Sequence, residues 1–184
     1  MEIVTERLKL RPWTLEDAPK VFEYCSDPVI GDACGWVPHK DLEHSKTILK
    51  TILMRPEIYA ITIKDTGEVI GSIQLMTDYE NEFSNSDKDC ELGYWLGKKH
   101  WGNGYMQEAI KVMIKRAFEV LGYENVFAGV YKGADNIKKL IEGLGFKFKE
   151  ERVNVLIRQL NSFRTSLCYV KTREDYFATN NNSK

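Results

Sequence analysis

From Glu91 to Ala109 the chain reads Glu-Leu-Gly-Tyr-Trp-Leu-Gly-Lys-Lys-His-Trp-Gly-Asn-Gly-Tyr-Met-Gln-Glu-Ala, a strand, a glycine-punctuated loop and the opening of a helix. Gly102 and Gly104 bracket Asn103, so the backbone can turn sharply there and approach a ligand without side chains in the way. A helix N-terminus leaves about four N–H groups unpaired and carries partial positive charge. Together these features make a phosphate cradle built from backbone. The plainer reading is a strand-to-helix turn. Gly93 to Lys98 is no P-loop, because it has one residue too few between its glycines and no Ser or Thr after the lysine. The third glycine of a dinucleotide fingerprint is also missing. His39, His44 and His100 stand at no zinc-type spacing with one another or with the cysteines, so no metal site is expected.

The elements that must position this loop follow from patterning. Leu8–Pro12 alternates as a strand, and Thr14 with Asp17 resembles a capping arrangement for a helix reaching Cys25. Asp27–Pro38, rich in Gly, Pro and Asp, reads as a loop, and Leu42–Met54 as a helix. Strands over Tyr59–Ile63 and Val69–Leu75 flank a turn and suggest a hairpin. The polar, acidic stretch Thr77–Asp89 reads as an exposed connection to a strand over Glu91–Leu96. From Gln107 to Leu121 an apolar stripe (Ala109, Ile110, Met113, Ile114, Ala117, Phe118 and Leu121) recurs at helical spacing and stops at Gly122. Asn125–Val130 is a strand, Asp135 caps a helix to Leu144, and Phe146–Val155 and Thr165–Lys171 close the fold as a strand pair. Residues 178–184 read as a disordered tail. The order describes an α/β (α+β) architecture, a mixed sheet with helices on both faces, in one domain over 1–177.

Composition narrows the function classes. The 184 residues suffice for one domain, and 43% hydrophobic with 29% charged is ordinary for a globular protein. A formal net charge of −1 argues against a broad nucleic-acid-binding face. No apolar run suits a signal peptide or a bilayer span, so a cytoplasmic protein without membrane association is expected. Cys25, Cys34, Cys90 and Cys168 form no Cys-x-x-Cys pair and read as reduced thiols.

Trp101-Gly102-Asn103-Gly104-Tyr105-Met106, with Glu108-Ala109 just inside the helix, resembles the acetyl-CoA loop of the GNAT acetyltransferases. Within that superfamily the chain is similar to the ribosomal-protein N-terminal acetyltransferase (Rim-type) subfamily. Thr5-Glu-Arg-Leu-Lys-Leu-Arg-Pro-Trp13 with Asp17-Ala18, Trp36-Val-Pro-His39, Gly145-Phe146 and Tyr169-Val-Lys-Thr-Arg-Glu-Asp-Tyr176 resemble further subfamily elements in the same order. The resemblance implies a GNAT fold, with a central, mixed, mostly antiparallel twisted sheet flanked by helices on both faces. It also implies acetyl-CoA as donor co-substrate, a primary amine as acceptor, and direct attack in a ternary complex. The favoured acceptor is a peptide or protein α-amine. A small amine (aminoglycoside, amino acid or polyamine) and a CoA-binding module without turnover are the alternatives. Monomer and homodimer both fit.

By the same resemblance, the amides of Trp101, Gly102, Asn103, Gly104, Tyr105 and Met106 hold the pyrophosphate. Trp95, Leu96 and Gly97 pair through their backbone with the pantetheine arm. That strand end can also place an N–H near the thioester oxygen. Asn136 is a further pantetheine contact, and Glu91 is the candidate general base; its other reading is an exposed residue ending an acidic loop. The subfamily's acid is not matched. Aligned on Gly145-Phe146, its Asn-x-x-Ser falls on Ala134 and Ile137; aligned on Asn136, the serine position is Lys139. The tyrosine position of other GNAT members is Ile141, and Tyr131 is the substitute nearest the strand. Lys98 and Lys99 could add charge near the phosphates or be plain surface lysines. Asp78, Glu80, Glu82, Asp87 and Asp89 could attract a cationic amine or simply be solvated. Trp13, Trp36 and Tyr94 could line an acceptor groove or pack in the core.

Overall fold

A computed structural model describes residues 1–77 and 80–181. The chain packs as two compact units. The first comprises Met1–Gln74, Tyr94–Val112 and Ile157–Asn161; the second comprises Leu75–Gly93, Met113–Leu156 and the chain from Ser162 onward.

In the first unit, β1 (Ile3–Val4) and β2 (Leu8–Pro12) form an antiparallel pair with Ile3 opposite Leu10. Thr14 opens a helical turn by donating its N–H to the Asp17 carboxylate at 2.9 Å. Arg11 grips the same carboxylate through two guanidinium nitrogens at 2.7 and 2.8 Å. Burial opposes ionisation of Asp17, but these bonds outweigh it and hold the carboxyl below its ordinary range. Helix α1 (Ala18–Cys25) follows, with Pro19 in its first turn, where a missing N–H costs nothing.

The expected loop over Asp27–Pro38 contains a helix, α2 (Pro28–Cys34). Its Asp27 carboxylate accepts the Val29 N–H at 2.8 Å, Pro28 sits at the first helical position, and Gly35 stops it at φ 84°. The residues that read as loop punctuation are the start and stop of a short helix. The Trp36-Val-Pro-His39 element then turns back. The His39 N–H donates to the Cys25 carbonyl at 2.9 Å, and its Nδ1 lies 2.9 Å from the buried Ser45 hydroxyl. Burial pushes the imidazole down to about 4, so it is neutral and structural. Helix α3 (Leu42–Ile48), capped by Asp41, runs on as a π-helical turn over Leu49–Leu53.

Strands β3 (Ile58–Ile63) and β4 (Val69–Met76) form the expected hairpin, and the first unit's strands run in the order β1-β2-β3-β4. Trp13, Val21, Tyr24, Leu49, Ile58 and Trp95 share its apolar cluster. Trp13 and Tyr24 each lie 6.1 Å from the Trp95 ring, and Trp36 lies 6.4 Å from it. Trp13, only 2% exposed, packs in this core, and the half-buried Trp36 packs against it.

Strand β5 (Asp89–Leu96) leads into the glycine loop, and α4 (Tyr105–Lys115) follows, ending in a π-helical turn over Arg116–Val120. Ala109, Ile110, Met113, Ile114, Ala117 and Phe118 are all buried, as the stripe requires. In the second unit β6 (Asn125–Tyr131) lies parallel to β5, with Asp89 opposite Asn125 and Leu92 opposite Ala128. Helix α5 (Asp135–Gly143) begins after Ala134, so Asp135 is a first-turn acid that complements the helix dipole; it is not the cap. Strands β7 (Lys147–Ile157) and β8 (Ser162–Thr172) close the fold, the second unit's order being β5-β6-β8-β7. Of the five neighbouring pairs whose direction is defined, β5–β6 alone is parallel. The result is a mixed, mostly antiparallel α/β fold. Helix α6 (Arg173–Asn181) includes residues 178–181, where the sequence reads a tail; residues 182–184 lie outside the described ones.

Candidate active site

The loop after β5 is fixed from both ends. The Gly97 N–H donates to the Ile70 carbonyl at 2.9 Å, and the Tyr24 ring occupies the space a side chain at Gly97 would need. A single 3₁₀ turn, Lys98–His100, follows. The Trp101 indole then reaches back to donate to the Leu96 carbonyl at 2.7 Å. Two backbone groups of the expected pantetheine-pairing segment thus already have partners within the chain. The last β6 partner of β5 is at Leu92, and β5 continues to Leu96.

Gly102 and Gly104 both adopt φ 76°, the left-handed region in which side chains are strained. A Cβ at Gly102 would meet only open space. Asn103 folds its amide back onto the His100 and Trp101 carbonyls, each at 3.2 Å, which leaves its backbone to turn. The ladder of α4 starts with the Glu108 N–H on the Gly104 carbonyl at 3.1 Å, so the amides just before it lie outside the helix's own bonding. An open-sided, glycine-lined turn running into an exposed helix N-terminus fits a phosphate group. Lys98 and Lys99 add little to it. Both are exposed, Lys98 lies 3.5 Å from Asp27, and Lys99 pairs with Glu68 at 2.9 Å.

One participant escaped the sequence reading. Arg7, just before β2, donates Nε to Glu108 at 2.7 Å and Nη1 to the Asn103 carbonyl at 2.9 Å, and its guanidinium lies 4.8 Å over the Tyr105 ring. The Arg7 N–H and the Thr5 hydroxyl complete the grip on Glu108, at 2.9 and 2.5 Å. The one signal available was the Thr5-Glu-Arg7 motif itself, which carried no role.

Glu91 belongs to the second unit and is buried, not an exposed end of an acidic loop. Burial is the main reason its carboxyl is pushed up to about 8, with the Glu82 N–H, donating at 2.8 Å, pulling the other way. Above it the connection expected to be exposed is partly folded in. Asn81 and Phe83 are buried, and the Asn81 side-chain Oδ1 accepts from the Phe83 and Ser84 backbone N–H groups. Phe83 packs toward Phe127 and Cys168, with the Arg152 guanidinium 4.9 Å over its ring. Arg152 also donates to the Glu82 carbonyl. Of the acidic series, Glu82 and Asp87 are exposed and Asp89 is buried against Ser84 and Asn125; Asp78 lies outside the described residues.

Asn136 is exposed in the first turn of α5, and Ile141 is fully buried there. Tyr131 ends β6 half-buried, beneath the Arg164 guanidinium at 4.8 Å. Burial pushes the Cys34 thiol up to about 12 and Cys168 to about 11, which leaves neither suited to nucleophilic attack. Among the described residues no cluster of three metal-binding side chains occurs, and no helix is long and apolar enough to cross a membrane.

Comparison with known proteins agrees with this geometry. Residues 7–147 match the family model described as an acetyltransferase (GNAT) domain. The N-acetyltransferase p20 of Bacillus licheniformis, itself uncharacterized, is 32% identical over 151 residues, covering 79% of this chain and 82% of that protein. Among solved structures, a GNAT-family acetyltransferase from Bacillus anthracis superposes with a TM-score of 0.82 at 18% identity, over 95% of this chain and 99% of that one. The ribosomal-protein-S5-alanine acetyltransferase from Vibrio fischeri superposes with a TM-score of 0.73 at 17% identity, over 96% and 98%. A family model spanning most of the chain, and a relative of this identity and coverage, make this protein a member of the GNAT acetyltransferase family.

Proposed function

We propose that this acetyltransferase uses acetyl-CoA to acetylate the α-amine of a peptide or protein, by direct attack in a ternary complex within one functional domain over 1–177. The observation that carries the donor half is the Gly102–Gly104 turn, left-handed at both glycines and open where a side chain at Gly102 would stand, leading into α4. The amides of Trp101 to Met106 would hold the pyrophosphate. The backbone of Trp95 to Gly97, and Asn136 on α5, would face the pantetheine arm; β5 runs past its last β6 partner, which leaves main chain for strand-like pairing. Acetyl-CoA supplies the acetyl thioester.

Glu91 takes the proton from the attacking amine. A carboxyl pushed up to about 8 matches a protein α-amine at about 7.7–8.0, so transfer between them is nearly balanced; a lysine amine at about 10.4 holds its proton far more tightly. The likeness in fold to a ribosomal-protein-S5-alanine acetyltransferase supports the same acceptor class.

Release of CoA thiol across a panel of peptides, aminoglycosides, amino acids and polyamines, each with acetyl-CoA, tests the reading. Fastest turnover on peptides with a free N-terminus supports it, and turnover confined to small amines replaces the acceptor assignment.

A further inference from the structure

The Arg7–Glu108 contact bears on how the phosphate loop keeps its shape. Glu108 sits in the first turn of α4 with its carboxylate close to where an anionic ligand would bind. Left alone, that charge would repel a phosphate and offset the helix N-terminus. Arg7 meets it with a backbone and a side-chain bond, and Thr5 adds a third. The bonds and their surroundings keep the Glu108 carboxyl in its ionised form even though partial burial opposes ionisation. The same guanidinium also takes the Asn103 carbonyl and covers Tyr105. One side chain therefore touches Asn103, Tyr105 and Glu108, from the middle of the glycine turn to the first turn of the helix. Its Nη2 stands 3.4 Å from where a Cβ on Gly104 would be.

We propose that Arg7 is a positioning residue for the donor loop: by bridging the Asn103 carbonyl and Glu108 it fixes the Gly102–Met106 turn and neutralises the Glu108 carboxylate beside the phosphate cradle. This rests on the reading of that turn as the CoA site. Lysine cannot reproduce the role, because an ammonium lacks the planar fork that serves two acceptors in fixed directions. Removal of Arg7 leaves two defects, a loosened turn and an uncompensated carboxylate, and only the second is repaired by also neutralising Glu108.

Binding of CoA by calorimetry, together with steady-state kinetics on the full chain, tests this with R7Q, R7K, E108Q and R7Q/E108Q. The expected result is a weakening of CoA binding by R7Q of roughly tenfold or more, the scale of a lost charge-assisted bond. KM for acetyl-CoA should rise in parallel, while kcat at saturating donor stays within about twofold and the acceptor KM is unmoved. R7K should be intermediate, and the double variant should bind CoA better than R7Q alone. An R7Q protein with native circular dichroism and unchanged CoA affinity overturns the proposal. So does a fall in kcat with affinity unchanged. Should R7Q fail to fold, R7K decides by the same criterion: CoA affinity equal to wild type overturns the proposal. Absence of CoA binding by the wild-type protein would instead refute the CoA-site reading itself.

Discussion

The Glu82 N–H donates to the Glu91 carboxylate at 2.8 Å while Arg152 holds the Glu82 carbonyl from β7. The two peptide units that flank Glu82 thus share the work, one donating to a buried acid and the next anchored by Arg152. An amide donor favours the ionised form, and burial favours the protonated one; burial wins, and the carboxyl rises to about 8. A carboxyl so placed can exchange a proton near physiological pH, which an exposed glutamate cannot.

The activity prediction follows. Glu91→Gln should lower kcat at pH 7 by about 10²-fold or more, the usual scale for a lost general base, with CoA affinity nearly unchanged. The deficit should narrow as pH rises above about 8, where more of the acceptor amine is already neutral. Rate–pH profiles of both proteins on one peptide test this. An unchanged rate at pH 7 would reduce Glu91 to a structural acid.

The same raised carboxyl has a thermodynamic consequence of opposite sign. Unfolded, Glu91 titrates near 4.5; folded, near 8. Between those values the native state holds a proton that the unfolded state has lost, so stability falls as pH rises, by up to about 1.4 kcal/mol per pH unit. Glutamine does not titrate, and its carbonyl can still accept the Glu82 N–H. Glu91→Gln should therefore lose less stability than wild type between pH 5 and pH 8.5 and be the more stable protein at the upper end. Urea unfolding at the two pH values measures it. Parallel slopes for the two proteins would mean that the folded carboxyl titrates in the ordinary range.

How far such detail was readable in advance depended on chain separation. The α4 stripe and its Gly122 stop follow from local periodicity, which no distant contact needed to supply. The glycine turn was readable because its special backbone angles demand special residues. Helix α2 was misread because Asp, Pro and Gly punctuate both loops and the two ends of short helices; only the Asp27 cap and the left-handed Gly35 separate the cases. The brace from Arg7 joins residues about a hundred positions apart, 96 to Asn103 and 101 to Glu108, and no local pattern encodes such a pairing. Burial of Glu91 likewise depends on how Asn81 and Phe83 fold in, inside a stretch whose acidic composition suggested full exposure.

Gly104→Val tests the donor loop most directly. Gly104 has φ 76°, where a β-branched side chain is strongly disfavoured, and a Cβ there would already touch the Arg7 guanidinium at 3.4 Å, so the rest of a valine side chain would stand against the brace. The substitution should remove the thermal stabilisation that acetyl-CoA gives the wild type, which for ligand at a hundred times its Kd is about 2.7 kcal/mol. Differential scanning fluorimetry with and without acetyl-CoA reads this out. A Gly104→Val protein stabilised as much as wild type would place the phosphates elsewhere.

The acceptor prediction turns on matching proton affinities. Glu91 near 8 can relieve an α-amine of its proton at little cost, whereas a lysine amine lies about 2.4 units higher, a penalty of about 3 kcal/mol in proton transfer. The charges that act on the Glu91 carboxyl, Glu82 raising it and Arg152 lowering it, are already contained in the value near 8 and leave the gap to a lysine amine open. For one peptide carrying both a free N-terminus and a lysine, acetylation at the α-amine should therefore be the faster reaction at pH 7.5. The preference should shrink as pH approaches 10, where the lysine amine begins to lose its proton unaided. Tandem mass spectrometry of the singly acetylated product, taken at low conversion at both pH values, locates the group. Dominant side-chain acetylation at pH 7.5 would mean that acceptor choice is set by recognition of the rest of the substrate and not by matching to Glu91.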